Sequence, residues 1–343
     1  MIVDVHGHIT HPELLAKYPM PPSLGDVEGM VEQKAAAGIS VTIVGSPVGF
    51  GVMMRGVDNY AQPLDRLKAH NEWHAEMAGR YPGRLKAYAY TNPFGGGKLL
   101  EQAAETVREH DDVVGLIVNT SVRGRYLDDP GANDFFEMAT ELDVPVLLHA
   151  PAEPVGSESL RDFRLVEQVG RFCDVTLGLA AVVFGGCLER YPRLKLIGAT
   201  AGGAISLVGH RLDEAYRPRH WAGATGAPPG GPPAHDDALT RPPSEYLRQL
   251  HVDTASFSVP NHLANLEVMG AERMLFATDS PPLKRPLHDV IALVDRLPID
   301  DAAKRKIFRE NAEQLFGFGV AAPPAADEAD VADGSVVARQ PRV

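Results

Sequence analysis

The chain has 343 residues, 44% hydrophobic and 23% charged, a balance that excludes coiled-coil, collagen-like and wholly disordered classes. Its 33 Lys and Arg stand against 45 Asp and Glu, a formal net charge of −12 with no basic run, so no nucleic-acid partner is expected. No apolar run reaches the roughly 18–20 residues of a membrane span, so no membrane partner is expected either. In chain order, β-branched and apolar runs predict eight strands, at Ile2–His6, Ile39–Val44, Leu85–Tyr90, Val113–Val118, Val144–His149, Leu194–Ala199, Leu250–Asp253 and Met274–Ala277. Between them, Val27–Ala37, Leu64–Arg80, Lys98–His110 and Asn133–Leu142 carry helical periodicity. This alternation predicts βαβ units and a parallel sheet. Eight strands within about 280 residues fit an α/β fold of the (β/α)8 TIM-barrel type better than two domains. A doubly wound sheet is the alternative, and the lack of G-x-G-x-x-G after the first strand weighs against its dinucleotide-binding form.

Two segments break the rhythm. Residues 217–243 hold seven prolines and four glycines, which predicts a long loop between strands six and seven, after a helix over 206–216. The tail from Gly319 to Val343 lacks aromatic residues and is rich in Ala, Pro and Asp, which predicts disorder. One domain over residues 1–318 is therefore expected. The N-terminus has no basic n-region or long apolar h-region, and Cys173 and Cys187 are the only cysteines, without CxxC spacing. A reducing cytoplasm is the expected compartment.

The residues that bear chemistry gather at predicted strand ends. In Asp4-Val5-His6-Gly7-His8, His6 and His8 stand two apart and share a strand face, so both imidazoles can reach one divalent ion at a barrel mouth. His149 ends the apolar run Val144-Pro145-Val146-Leu147-Leu148, and Asp279 follows Leu275-Phe276-Ala277-Thr278. Singly, each has a plain alternative: an accidental pair, a core histidine, a turn carboxylate. Together they put three histidines and an aspartate at the C-terminal ends of strands one, five and eight, where these barrels keep their active sites.

On these residues the sequence resembles the amidohydrolase superfamily, in the branch of aminocarboxymuconate-semialdehyde decarboxylase and its relatives. The resemblance runs from Met1 to about Phe318. It rests also on Tyr81-Pro82-Gly83-Arg84-Leu85, Tyr126-Leu127-Asp128-Asp129-Pro130, Leu188-Glu189-Arg190-Tyr191-Pro192, Val252-Asp253-Thr254-Ala255, Phe276-Ala277-Thr278-Asp279-Ser280-Pro281 and Asn311-Ala312-Glu313-Gln314-Leu315-Phe316. It implies one divalent metal ion, zinc ahead of manganese, held by His6, His8, His149 and Asp279. It also implies a homodimer and a small-molecule carboxylate substrate on an aromatic or conjugated skeleton.

One departure stands out. Family members carry a histidine just after strand six, in Ala-His-x-Gly-Gly, as general acid/base; here Gly198-Ala199-Thr200-Ala201-Gly202-Gly203 has Thr200 in its place. A threonine hydroxyl can hydrogen-bond substrate or water but cannot shuttle protons near neutrality. His11 and His220 are the candidate substitutes, while His210 lies too far along the helix. For the substrate carboxylate the candidates are Arg55, after strand two, and Arg123 and Arg125, after strand four. The leading expectation is a metal-dependent decarboxylase. A hydrolase cleaving C–C or C–O/C–N bonds through the same ligands comes second, and a catalytically silent small-molecule-binding barrel third.

Overall fold

The computed structural model describes residues 1–216, 239–282 and 285–319. Eight strands form one sheet: β1 (Ile2–His8), β2 (Ile39–Gly45), β3 (Leu85–Tyr90), β4 (Val113–Asn119), β5 (Val146–His149), β6 (Leu196–Gly198), β7 (His251–Asp253) and β8 (Met274–Leu275). They run in sequence order, and every neighbouring pair is parallel. The ring closes where Val5 N donates to Phe276 O (3.0 Å), Asp279 N to His6 O (2.9 Å) and His8 N to Ser280 O (3.2 Å). The fold is thus a (β/α)8 barrel. Its helices include α1 (Val27–Ala36), α2 (Leu64–Arg80), α3 (Gly97–Glu109), α4 (Asn133–Leu142), α5 (Arg171–Phe184), α6 (Ile205–Tyr216) and α7 (Val259–Met269).

The barrel interior is filled by Val3, Val5, Ile43, Tyr88, Ile117, Leu147, Ile197 and Leu275, with Phe316 of the last helical turn packed against Tyr88. A separate layer, including Phe135, Phe136, Leu179, Val182 and Val252, joins the outer faces of the strands to the helices. This is the two-sided burial that parallel strands require.

Several predicted strands end earlier than their sequences suggest. Met274–Ala277 is a ladder strand only to Leu275, because Phe276 N donates to Ile307 O and Ala277 N to the Thr254 hydroxyl. Leu194–Ala199 shortens to β6 because the chain turns sharply at Ala199, and Val144–His149 loses its first two residues to a loop. β1, in contrast, runs on to His8. The helix expected before the proline- and glycine-rich connection is α6, but residues 217–238 of that connection lie outside the described residues, as does the tail from residue 320. Beyond it, Leu239 is buried and the Thr240 and Tyr246 hydroxyls bond Glu189.

Candidate metal centre

Simple alternation along β1 would put His6 and His8 on the face opposite Val3 and Val5. The pairing with β2 shifts register between Asp4 and Gly7, and this irregularity turns both histidines into the interior that Val3 and Val5 already occupy. Such irregularities re-aim side chains beside active sites. Gly7 cannot be larger: a Cβ there would lie 2.5 Å from Thr42 Cγ2. His149 continues the inward face of Leu147 on β5. Asp279 follows β8 in a left-handed conformation, φ 48°.

The four side chains meet. Ring centroids of His6, His8 and His149 lie 4.8, 5.0 and 5.4 Å apart, and one ligand atom from each histidine and from Asp279 falls within 4.8 Å of the others. The hydrogen bonds fix which nitrogens are free. His8 Nδ1 faces Gly45 O at 2.9 Å and His149 Nδ1 faces Ala150 O at 2.8 Å. A carbonyl only accepts, so both Nδ1 atoms carry a proton and both Nε2 atoms face the centre, that of His8 at 3.1 Å from Asp279 Oδ1. His6 Nδ1 donates to Asp253 Oδ2 at 2.6 Å, and its buried Nε2 has no hydrogen-bond partner. Three imidazoles anchored through Nδ1, with Nε2 converging on a carboxylate, are the donor set of a divalent-ion site with its outer hydrogen bonds built.

The electrostatics say the same. Burial opposes a charge on His6, yet Asp279, Asp253 and Asp4 outweigh it and raise its pKa to about 9. Burial, with His6 and His8 beside it, drives His149 well below the ordinary histidine value. Burial would lift Asp279, but the surrounding imidazoles hold it down at about 2. The centre attracts one positive charge even without an ion.

His8, His149 and Asp279 border a cavity of about 770 Å³. Thr200 lines it, in a left-handed turn at φ 53°, followed by Ala201 at φ 57°. Asp253 holds this turn as well as His6, since its Oδ1 accepts from Ala201 N at 2.7 Å. Asn265 adds a bond to Ala201 O. Arg55 also lines the cavity, but its guanidinium is engaged with Ser157 O and Leu160 O. The structure puts Arg123 and Arg125 outside the lining, in exposed ion pairs with Asp58 and Asp129, because the hairpin of Ser121–Val122 and Arg125–Tyr126 carries them to the surface. His11 is likewise absent from the lining: its Nδ1 caps Glu13 N, and its ring packs on Phe50 and Trp73. His210 is fully exposed, and His220 lies outside the described residues.

Sequence reasoning passed over four residues. Asp253 was visible in Val252-Asp253-Thr254, but not its reach to His6. The others stand on one helical face, Phe163, Glu167, Arg171, at a spacing of four. That face lines the cavity through a π-helical turn over Val166–Gly170 leading into α5. Arg171 is mostly buried, its Nε has no partner, and its nearest acid is Glu167 at 3.7 Å. Its bonds to Met53 O and Ala152 O are long, at 3.4 and 3.5 Å. Among the described lining residues, Glu167 is the only carboxylate or imidazole outside the ligand set.

Comparison with known proteins agrees with this geometry. The curated 2-amino-3-carboxymuconate-6-semialdehyde decarboxylase of Dictyostelium discoideum is 25% identical over 282 residues, covering 79% of this chain and 71% of the relative. The 5-carboxyvanillate decarboxylase of Sphingomonas paucimobilis superposes with a TM-score of 0.75 at 19% identity, over 93% of this chain and 99% of its own. A dihydroxybenzoic acid decarboxylase from a Polaromonas species, solved with manganese and 2-nitroresorcinol, gives 0.70 at 20% identity, over 92% and 96%. The sequence profile of the family described as Amidohydrolase matches residues 3–318, nearly the whole described chain, and the protein belongs to that family.

Proposed function

We propose that this protein is a metal-dependent carboxy-lyase that releases carbon dioxide from an aromatic or conjugated unsaturated carboxylic acid. The observation that carries this reading is the pairing of a preformed three-histidine, one-aspartate centre with Thr200 at its side, where among the described residues a hydroxyl stands in place of a proton shuttle. Hydrolysis needs a group beside the centre to collect a proton from attacking water. Decarboxylation needs one proton delivered to carbon, and its delivery can come from elsewhere on the wall. A divalent ion held by His6, His8, His149 and Asp279 would supply Lewis-acid polarisation of a substrate oxygen. Zinc suits an imidazole-rich set, and manganese, present in the Polaromonas relative, is the alternative.

Arg171, short of partners, receives the substrate carboxylate, and this draws its guanidinium from Glu167. Glu167, partly exposed, takes a proton from solvent and passes it to the carbon that bears the carboxylate. The bond to that carboxylate then breaks, and carbon dioxide leaves toward the apolar wall of Phe172 and Phe257. Thr200 positions substrate or water through its hydroxyl. Arg55 fastens the loop after β2 over the cavity mouth and lies within reach of a longer acid.

The test is a screen of metal-replete protein against 2,6-dihydroxybenzoate and 5-carboxyvanillate, the acids named for the relatives, read by carbon dioxide release. Products of water addition without carbon dioxide would replace this reading by the hydrolase. Protein purified without metal and unable to take it up would leave a silent binder. We further propose a homodimer in a reducing cytoplasm. The exposed Leu165, Val169 and Leu177 near one another along α5 and its approach support the first, and the free Cys173 and Cys187 support the second. Among the described residues no helix is long and apolar enough to cross a membrane.

A further inference from the structure

Behind the ligands lies a second polar cluster that the proposed chemistry does not use. Lys34, on the inner face of α1, is 3% exposed, and Asp4 beneath it is fully buried. The Lys34 ammonium donates to Asp4 Oδ2 at 2.6 Å, to the Thr278 hydroxyl at 3.2 Å and to Ser280 O at 3.4 Å. Asp4 in turn accepts from four donors. Its Oδ1 takes His6 N (3.1 Å) and Thr278 N (3.0 Å), and its Oδ2 takes the Thr278 hydroxyl (2.7 Å) besides Lys34. The cluster spans the seam where β1 meets the chain after β8, and every group it grips neighbours a ligand. His6 is a ligand itself, and Thr278 and Ser280 flank Asp279 on either side of its left-handed residue.

Stability alone is a poor account of this arrangement. A buried ion pair regains little beyond its desolvation cost, and a well-packed apolar pair commonly serves as well. What an apolar pair cannot do is bond the His6 amide and both neighbours of Asp279 at once. We propose that Lys34 is a positioning residue for the metal centre: through Asp4, Thr278 and Ser280 it fixes the relative placement of the β1 histidines and Asp279. It touches neither substrate nor ion. The inference rests on the metal reading above.

The test uses the whole protein stripped of metal and titrated with Zn²⁺ against a chromophoric chelator, beside a thermal melt of each sample. Lys34→Met alone leaves Asp4 buried and unpaired and could unfold the chain. The informative variants are therefore the double Lys34→Met/Asp4→Asn, which removes both charges, and Thr278→Val, which keeps the ion pair but removes the hydroxyl through which Lys34 and Asp4 both hold the Asp279 turn. Both are expected to melt cooperatively while binding zinc about 10- to 100-fold more weakly, the usual cost of losing an outer-shell partner. Affinity within about twofold of the parent in either folded variant overturns the proposal and leaves Lys34 a structural residue, the parent affinity setting the scale. A parent that binds no zinc overturns the metal reading, and this inference with it.

Discussion

Thr200 and Glu167 divide the proposed chemistry between a hydroxyl that positions and a carboxylate that carries the proton, and substitution separates them. Thr200 already sits in a left-handed backbone with Ala201 beside it in the same conformation, so alanine fits the turn without new strain. Asp253 and Asn265 hold the turn through the backbone of Ala201, not through the threonine side chain. Thr200→Ala therefore removes one hydrogen-bonding hydroxyl, worth about 0.5–1.5 kcal/mol, and kcat/KM is expected to fall about two- to thirteenfold. Glu167→Gln keeps the shape and a hydrogen-bonding group but not the ionisable carboxyl, and is expected to cost about 10²–10⁴-fold, the range of a positioned acid/base. Histidine is among the residues enriched at positive φ, so Thr200→His is compatible with the turn. In the parent background it should leave the rate unchanged or lower, whereas added to Glu167→Gln it should restore part of the loss. The assay is carbon dioxide release by metal-replete protein on the best acid of the screen, with metal content measured in each variant. A Thr200→Ala enzyme slowed a thousandfold with its metal intact would refute the division, as would a Glu167→Gln enzyme of parental rate.

The remaining expectations concern the centre and its wall. His149→Ala should lose bound metal and turnover while the barrel stays folded, since the side chain projects from a strand end; elemental analysis with circular dichroism checks it, and stoichiometric metal would remove His149 from the ligand set. Because His6 is raised to about 9 in the ion-free protein, metal entry at pH 7 must displace its proton. Calorimetry in two buffers of different ionisation enthalpy should show about one proton released, with affinity rising toward pH 9 and levelling above it. The same raised value means that the His6–Asp279 attraction stabilises the ion-free fold fully below about pH 6.5 and is lost as pH rises through about 9. At the acid end it is lost as Asp279, depressed to about 2, takes up its proton, so melts of stripped protein should fall at both extremes. Arg171→Met should raise KM for a carboxylate substrate more than it lowers kcat, and an unchanged KM would refute the anchor assigned to it.

How much of this was legible beforehand depended on whether the signal was local. The order of strands, the barrel, and the clustering of His6, His8, His149 and Asp279 were visible because each of these residues sits at the end of an apolar run, where periodicity and position coincide. What could not be read was pairing across distance. Asp253 joins His6 across 247 residues, and Lys34 reaches Thr278 across 244. Nothing local marks either residue as anything but a strand-end aspartate or a helix lysine. Arginine shows the same limit from the other side. Arg123 and Arg125 are candidates beside Arg55 because they follow a barrel strand, yet a two-residue hairpin turns them outward onto acids of their own. Arg171 lies more than 20 residues past β5, but a π-helical turn widens its helix so that Glu167 and Arg171 face the cavity together. Asp4 shows how the two kinds of signal meet in one residue. In the sequence it stands only as part of the histidine motif, although its carboxylate accepts the Thr278 amide that a longer β8 ladder would have used. Side-chain capture of that amide and of Ala277 N ends β8 early and leaves Asp279 free to turn inward. The break in the ladder that blurred the predicted strand is therefore the same feature that brings Asp279 to the histidines.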